Sequence, residues 1–393
     1  GWEGSAHAQA SLVNPWYRVS FEAVREAEGE RATRHCAGCH DPVLLFSGVI
    51  DAGAAVDHPD AELGVTCLVC HGIDAAEVTG NASYTIDLVD LPDPRRDLEA
   101  HRARMLHPAL EDRTVCASCH RGFLTTALGI RHFTPGLDDW GAWQSSAWAG
   151  NDSRRLDPMP RQRTCVDCHL GPDRDHGMLG GRTALAGDRL GRMQAQLAEA
   201  LLVAIPVATV DGIPTVLDGS FAPPAGSEVV LDVAIRNVGV GHRFPGGVGD
   251  LQRTWVEVEV AGQTSPPVHL RSLVLDDDGL PELLHRPNRM ATAAFDHTIP
   301  PGEVQLVRVA LKGTGAVLAP VARVVHEPHR AELHAEACAV APGICEVVRS
   351  EVATGGVRTD FDALYAHALG GARGVQEDLA LAVPSLAAAR EQA

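Results

Sequence analysis

The two halves of the chain order their hydrophobic residues differently. From Gly1 to about Gly181 neither a helical nor a strand period persists, and the stretch is dense in His, Cys, Pro, Gly and Asp. Short helices are predicted there over residues 20–34 and 97–106. Between Thr183 and Ile205, Leu190, Met193, Leu197 and Leu201 recur at helical intervals, predicting a connecting helix closed by Pro206. Beyond it the period falls to two. Val229, Leu231, Val233 and Ile235 alternate, Val256, Val258 and Val260 do the same after Trp255, and β-branched runs follow at 305–311 and 322–325. Turns such as Asp276-Asp277-Asp278-Gly279 and Pro300-Pro301-Gly302 separate them. A last helix is predicted behind Thr359-Asp360, with Phe361, Leu364 and Ala368 on one face, ahead of an Ala-rich tail after Pro384.

The expected architecture is multidomain: a mainly α and irregular N-terminal domain over 1–182 and the connecting helix over 183–205. An antiparallel β-sandwich of immunoglobulin-like character over 206–357 and a helical segment over 358–393 follow. The aperiodic first domain cannot build an ordinary core from its own side chains. Something else must supply apolar bulk.

Four copies of Cys-x-x-Cys-His lie in that domain: Cys36/Cys39/His40, Cys67/Cys70/His71, Cys116/Cys119/His120 and Cys165/Cys168/His169. Each is the attachment pattern of a covalent c-type haem, two thiols forming thioethers to the porphyrin and the next residue presenting its imidazole to the iron. Four haem c groups are therefore expected, and they would be the missing bulk. Zinc held by paired Cys-x-x-Cys motifs is the alternative, but it gives no reason for a histidine after every pair.

Haem c is attached outside the cytoplasm, so a periplasmic or extracellular address is expected. The chain begins at Gly1 with no basic or apolar leader, as a processed secreted chain would. The two remaining cysteines, Cys338 and Cys345, are expected to form a local disulfide in that compartment. The longest apolar stretch, 198–208, is too short to span a bilayer. A formal charge of -18 argues against nucleic acid as a partner and leaves other redox proteins, basic ones especially.

A second axial ligand on each iron separates an electron conductor from an enzyme. His7 is a candidate, flanked by Trp2 and small residues. His176 lies beside glycines after the fourth motif, and His242 lies in a Gly-rich loop between predicted strands. His101 is preferred over His107 because a helix would fix its direction. His58 and His132 remain alternatives. The frame Trp143-x-x-Ser-Ala-Trp-Ala repeats Trp2-x-x-Ser-Ala-His-Ala with Trp148 in place of His7, so that copy has lost its ligand.

Residues 2–8, 36–48, 64–72, 101–106, 176–181 and 241–247 resemble the cytochrome c554-like multihaem cytochromes that carry a C-terminal β-domain, a pattern from which the chain departs at Trp148. The resemblance implies bis-histidine haems, with His7, His101, His176 and His242 as distal ligands. Electron transfer is the expected function. A homopolymeric filament, in which His7 ligates a neighbouring copy, and an oxidoreductase with one five-coordinate haem near Trp148 are the alternatives.

Overall fold

The computed structural model describes residues 1–87, 92–106, 108–111, 113–125, 133–151, 160–171, 173–180 and 189–371. The first long helix, Pro15–Glu28, starts earlier than its pattern suggests. Asn14 accepts from the backbone N–H of Trp16 and Tyr17, Pro15 occupies the first turn, and Gly29 at φ 84° stops the helix. Beneath it Leu12, Phe21, Leu44 and Ile50 form a small core.

Each Cys-x-x-Cys motif lies on a helix of five to seven residues: Arg34–His40, Cys67–Gly72, Thr114–Cys119 and Cys165–His169. Thr66 caps the second, and Thr164 forms a reciprocal capping box with Asp167 on the fourth. Two hairpins lie between them: β1 (Ile73–Ala76) with β2 (Tyr84–Ile86), and β3 (Arg121–Leu124) with β4 (Thr134–Asp138). The predicted second helix spans Leu98–Met105.

The remaining strands are β5 (Leu201–Val210), β6 (Ile213–Val216), β7 (Glu228–Asn237), β8 (Arg253–Val260), β9 (Gln263–Thr264), β10 (Val268–His269), β11 (Ser272–Leu275), β12 (Thr292–Asp296), β13 (Val304–Lys312), β14 (Val321–Glu327) and β15 (Ser350–Gly356). They form antiparallel sheets ordered β13-β7-β5-β6 and β10-β8-β14-β15, with β9 on β8 and a separate β11-β12 hairpin. Leu231, Val233 and Ile235 from β7 share one core with Val256 and Val258 from β8 and Val324 from β14. The alternation read in the sequence is thus the inward face of two sheets.

Two expectations need correction. The connecting helix is described over Arg189–Leu197 and so ends before the predicted 205, while its predicted start at Thr183 lies outside the described residues. Leu201 to Ile205 belong to β5, and Pro206 lies within that strand. The β5–β7 register shifts between Ala204 and Val207, which accommodates a residue that has no N–H to give the ladder. The last helix, Phe361–Gly371, buries Ala363 and Ala366 rather than Phe361 and Leu364. Small residues win because the helix lies close on β7 and β13, where Ala366 packs with Ala234, Val304 and Leu306. His367 fixes it by a 2.8 Å bond to Asp232.

The halves are joined through side chains. Trp16 packs with Leu333 and Ala337 of the Ala331–Val340 helix, Arg18 donates to the carbonyl of Val340, and Ser20 donates to that of Leu284. Cys338 and Cys345 are disulfide-bonded at the end of that helix, as their spacing suggested, with Cα atoms 4.9 Å apart.

Candidate haem centres

The short motif helices carry their histidines to, or just past, their C-terminal ends, and three of those imidazoles have Nδ1 beside a backbone carbonyl. His40 faces Ala10 at 3.1 Å, His71 faces Met105, and His169 faces Leu179 at 2.6 Å. With Nδ1 as donor, Nε2 is left for a metal and the ring is held in one orientation. The fourth, His120, has Nδ1 3.6 Å from the carboxylate of Asp139.

Three of the four motif imidazoles face a second imidazole. His120 meets His7 with centroids 6.0 Å apart and planes at 89°; His71 meets His176 at 6.3 Å and 39°; His169 meets His242 at 6.2 Å and 11°. Two imidazoles binding one metal, each nitrogen about 2 Å from it, hold their centroids roughly 6 Å apart. The spacing is that of ligand pairs. Around His71 and His176 a cavity of about 430 Å³ is also lined by Cys67, Cys70, Trp2 and Met178, so both cysteines of the second motif line the same space as its facing imidazoles. The donor set and the space suit a haem attached at that motif.

Each of the three facing histidines is held by its own surroundings. The carbonyl of His7 accepts from Val65 N–H at 2.8 Å, and Gly64 lies so close that a Cβ there would meet the same carbonyl. Burial, followed by the neighbouring His120, His169 and His40, pushes His7 down to a pKa of about 3. It stands among three motif histidines. His176 follows Asp175, whose carboxylate accepts from Gly177 N–H and pairs with Arg192. The carbonyl of His242 accepts from Asn237, and a Cβ on Gly241 would lie 3.3 Å from Trp143 and 3.5 Å from Trp148. The sequence frame that lacks a histidine therefore packs against the loop that brings one in.

His101 lies on the Leu98–Met105 helix with Nδ1 2.8 Å from the carbonyl of Pro92. Among the described residues it makes no ring contact with a motif histidine. His58 caps a short turn through the N–H of Asp60. His107 and His132 lie outside the described residues.

Sequence reading missed several supporting groups. Tyr17 stacks on His40 at 4.3 Å, and Tyr17 and Ser11 both donate to Asp41. Asp139 lies between His120 and His242, within 3.7 Å of each, and both its oxygens accept from Gly247 N–H. Burial alone would raise its pKa, but His242, His120 and that N–H together hold it below the usual carboxylate range. No local pattern marks such a residue, because its partners come from distant segments.

The motifs also touch one another. The Cys39 thiol interacts with that of Cys119, and that of Cys116 with Cys165, so the first and third attachment points are neighbours, as are the third and fourth. A zinc site would need thiolates converging in groups of four. No group of three or more metal-ligating side chains converges among the described residues.

Residues 1–72, which include His7 and the first two motifs, match the family described as cytochrome c554 and c-prime. The chain is a multihaem c-type cytochrome. In fold this cytochrome is similar to a penta-haem cytochrome c552 from Thermochromatium tepidum, with a TM-score of 0.57 and 16% identity over 90% of this chain and 94% of that one. No curated protein matches its sequence. Electron transfer is the work of a multihaem cytochrome, and it implies redox partners.

Proposed function

We propose that the chain is an extracytoplasmic tetrahaem cytochrome that conducts electrons through closely packed bis-histidine haems. The observation that carries this reading is the set of three imidazole pairs, each joining a motif histidine to one from elsewhere in the chain. Cys36/Cys39, Cys67/Cys70, Cys116/Cys119 and Cys165/Cys168 are the attachment residues. His40, His71, His120 and His169 are the proximal ligands. His7 serves the third haem, His176 the second and His242 the fourth, and for the first we keep His101, with His58, His107 and His132 as alternatives. Haem c supplies the one-electron couple when bound.

The protein side does the rest. Two imidazoles per iron leave no position for a substrate, the supporting carbonyls fix the rings, and the adjoining thiols set the attachment points side by side. The covalent chemistry of haem c supports the extracytoplasmic address, and no helix among the described residues is long and apolar enough to cross a membrane. The formal charge of -18 favours a basic redox partner. The two sheets are proposed to form an immunoglobulin-like sandwich that lends His242 to the haem domain.

Two observations favour this reading, while the first motif, whose His40 stacks on Tyr17 and whose distal ligand no imidazole pair among the described residues assigns, keeps the open-haem alternative. His7, the residue that suggested a ligand lent between copies, lies opposite His120 of its own chain. Trp148, the place suggested for an open haem, packs beside the loop of His242. A pyridine haemochrome assay combined with intact mass tests the reading: four haems per chain are expected, and the reduced protein resists carbon monoxide. Fewer haems, or rapid carbon monoxide binding at one per chain, would overturn it.

A further inference from the structure

Asp139 opens the Asp139–Gln144 helix directly after β4, and its N–H donates to the carbonyl of His120 at 3.1 Å. One carboxylate oxygen lies 3.6 Å from His120 Nδ1 and the other 3.7 Å from His242 Nδ1. Gly247, five residues beyond His242, donates its N–H to both oxygens at 3.0 and 3.2 Å. The side chain is only 17% exposed, so water screens its charge weakly.

His120 and His242 belong to different centres. The first follows the third motif, and the second faces His169 of the fourth. Their attachment points adjoin through Cys116 and Cys165. We propose that Asp139 is a positioning residue shared by two haems, orienting a ligand of each and lowering the reduction potential of both. This rests on the ligand assignment proposed above.

The physical argument has two parts. A fixed negative charge close to two metal ligands stabilises the ferric over the ferrous state at both irons. At His120, whose Nδ1 faces the carboxylate, it also raises the basicity of the imidazole, which acts in the same direction, whereas His242 Nδ1 bonds the Arg243 carbonyl and feels Asp139 through its charge. Arg243 does not substitute for this charge: its carbonyl, 2.9 Å from His242 Nδ1, is neutral, and its guanidinium pairs with Asp296. The bland role, fastening the Gly247 loop, requires only an acceptor. A shared carboxylate also explains why the His242 loop is fastened at this place: Gly247 bonds the same carboxylate that faces His120 and His242.

Asp139→Asn separates the two roles, because the amide oxygen still accepts from Gly247 while the charge is gone. Redox titration of the purified holoprotein, followed by optical and electron paramagnetic resonance spectra, is expected to move two of the four potentials upward. The other two stay in place and all four haems stay low-spin. If no potential moves, or only one does, the proposal is overturned. Should Asp139→Asn lose a haem or its low-spin state, Asp139→Glu keeps the charge and is expected to restore both potentials; failure to do so likewise overturns it. His242→Ala tests the ligand assignment separately. If it leaves every haem low-spin, the assignment fails, and the proposal with it. If it makes one haem high-spin while Asp139→Asn shifts no potential, only the role of Asp139 fails.

Discussion

The imidazoles of His169 and His242 lie 6.2 Å apart with planes only 11° from parallel, one from a haem-attachment motif and the other from a loop between strands. His7 and His120 are equally close, but their planes cross at 89°. The orientation of axial imidazoles sets the splitting of the iron π orbitals. Parallel rings interact with the same orbital and split the pair widely, whereas crossed rings leave the two nearly equal.

Oxidised protein should therefore give two distinguishable low-spin electron paramagnetic resonance signals, a rhombic one from the His169/His242 haem and a strongly anisotropic one from the His7/His120 haem. His7→Ala removes the second and leaves the first. Loss of the rhombic signal in that variant would contradict the pairing.

Gly246 tests how tightly the His242 ring is held. A Cβ at this position would meet Cε1 of that ring and lie 2.6 Å from its Nδ1. Gly246→Ala is expected to turn or displace the ligand, at an overpacking cost of about 1–3 kcal/mol. The rhombic signal changes, and the His7/His120 signal does not. An unchanged spectrum would show that the ring does not occupy this position.

The division between what the sequence disclosed and what it concealed has a physical basis. A haem motif is local: two thiols and an imidazole within five residues reveal the attachment chemistry without any fold. A distal ligand is not local. His7, His176 and His242 could be singled out by their Gly- and Ala-rich surroundings, yet which motif each one faces depends on how the segments cross in space. Asp139 left no signal, since its partners are remote. Strand period reveals both sheets, whereas Pro206 reads as a helix stop in sequence and lies in β5 because a strand with a register shift can contain it. On the last helix the apolar residues pointed to the wrong face. Close approach to the sheet favours Ala363 and Ala366 over Phe361 and Leu364.

Stability at acid pH should depend on Asp250. It is buried, and its carboxylate bonds His285 at 2.7 Å. Burial alone would raise its pKa, but His285 and Arg330 reverse that and hold it below the usual carboxylate value. A carboxylate with a lowered folded pKa adds stability that is complete above its unfolded value, about 4, and is lost as pH falls through the folded value. Asp250→Ala should cost about 3 kcal/mol at neutral pH, because it leaves a buried partner unpaired. Denaturant titrations at pH 7 and pH 3 check this: the difference between wild type and variant narrows at the lower pH. A difference that widens would reverse the sign of the argument.

The central claim is that imidazoles from distant parts of the chain close the coordination of haems attached in its first half, and His242 tests it with a residue from a loop between strands of the second half. The most direct measurement is the oxidised optical and electron paramagnetic resonance spectrum of His242→Ala holoprotein, with haem content measured on the same sample. The account predicts four haems per chain, one of them high-spin, with the rhombic signal gone and the other low-spin signals intact. Four unchanged low-spin haems would contradict it.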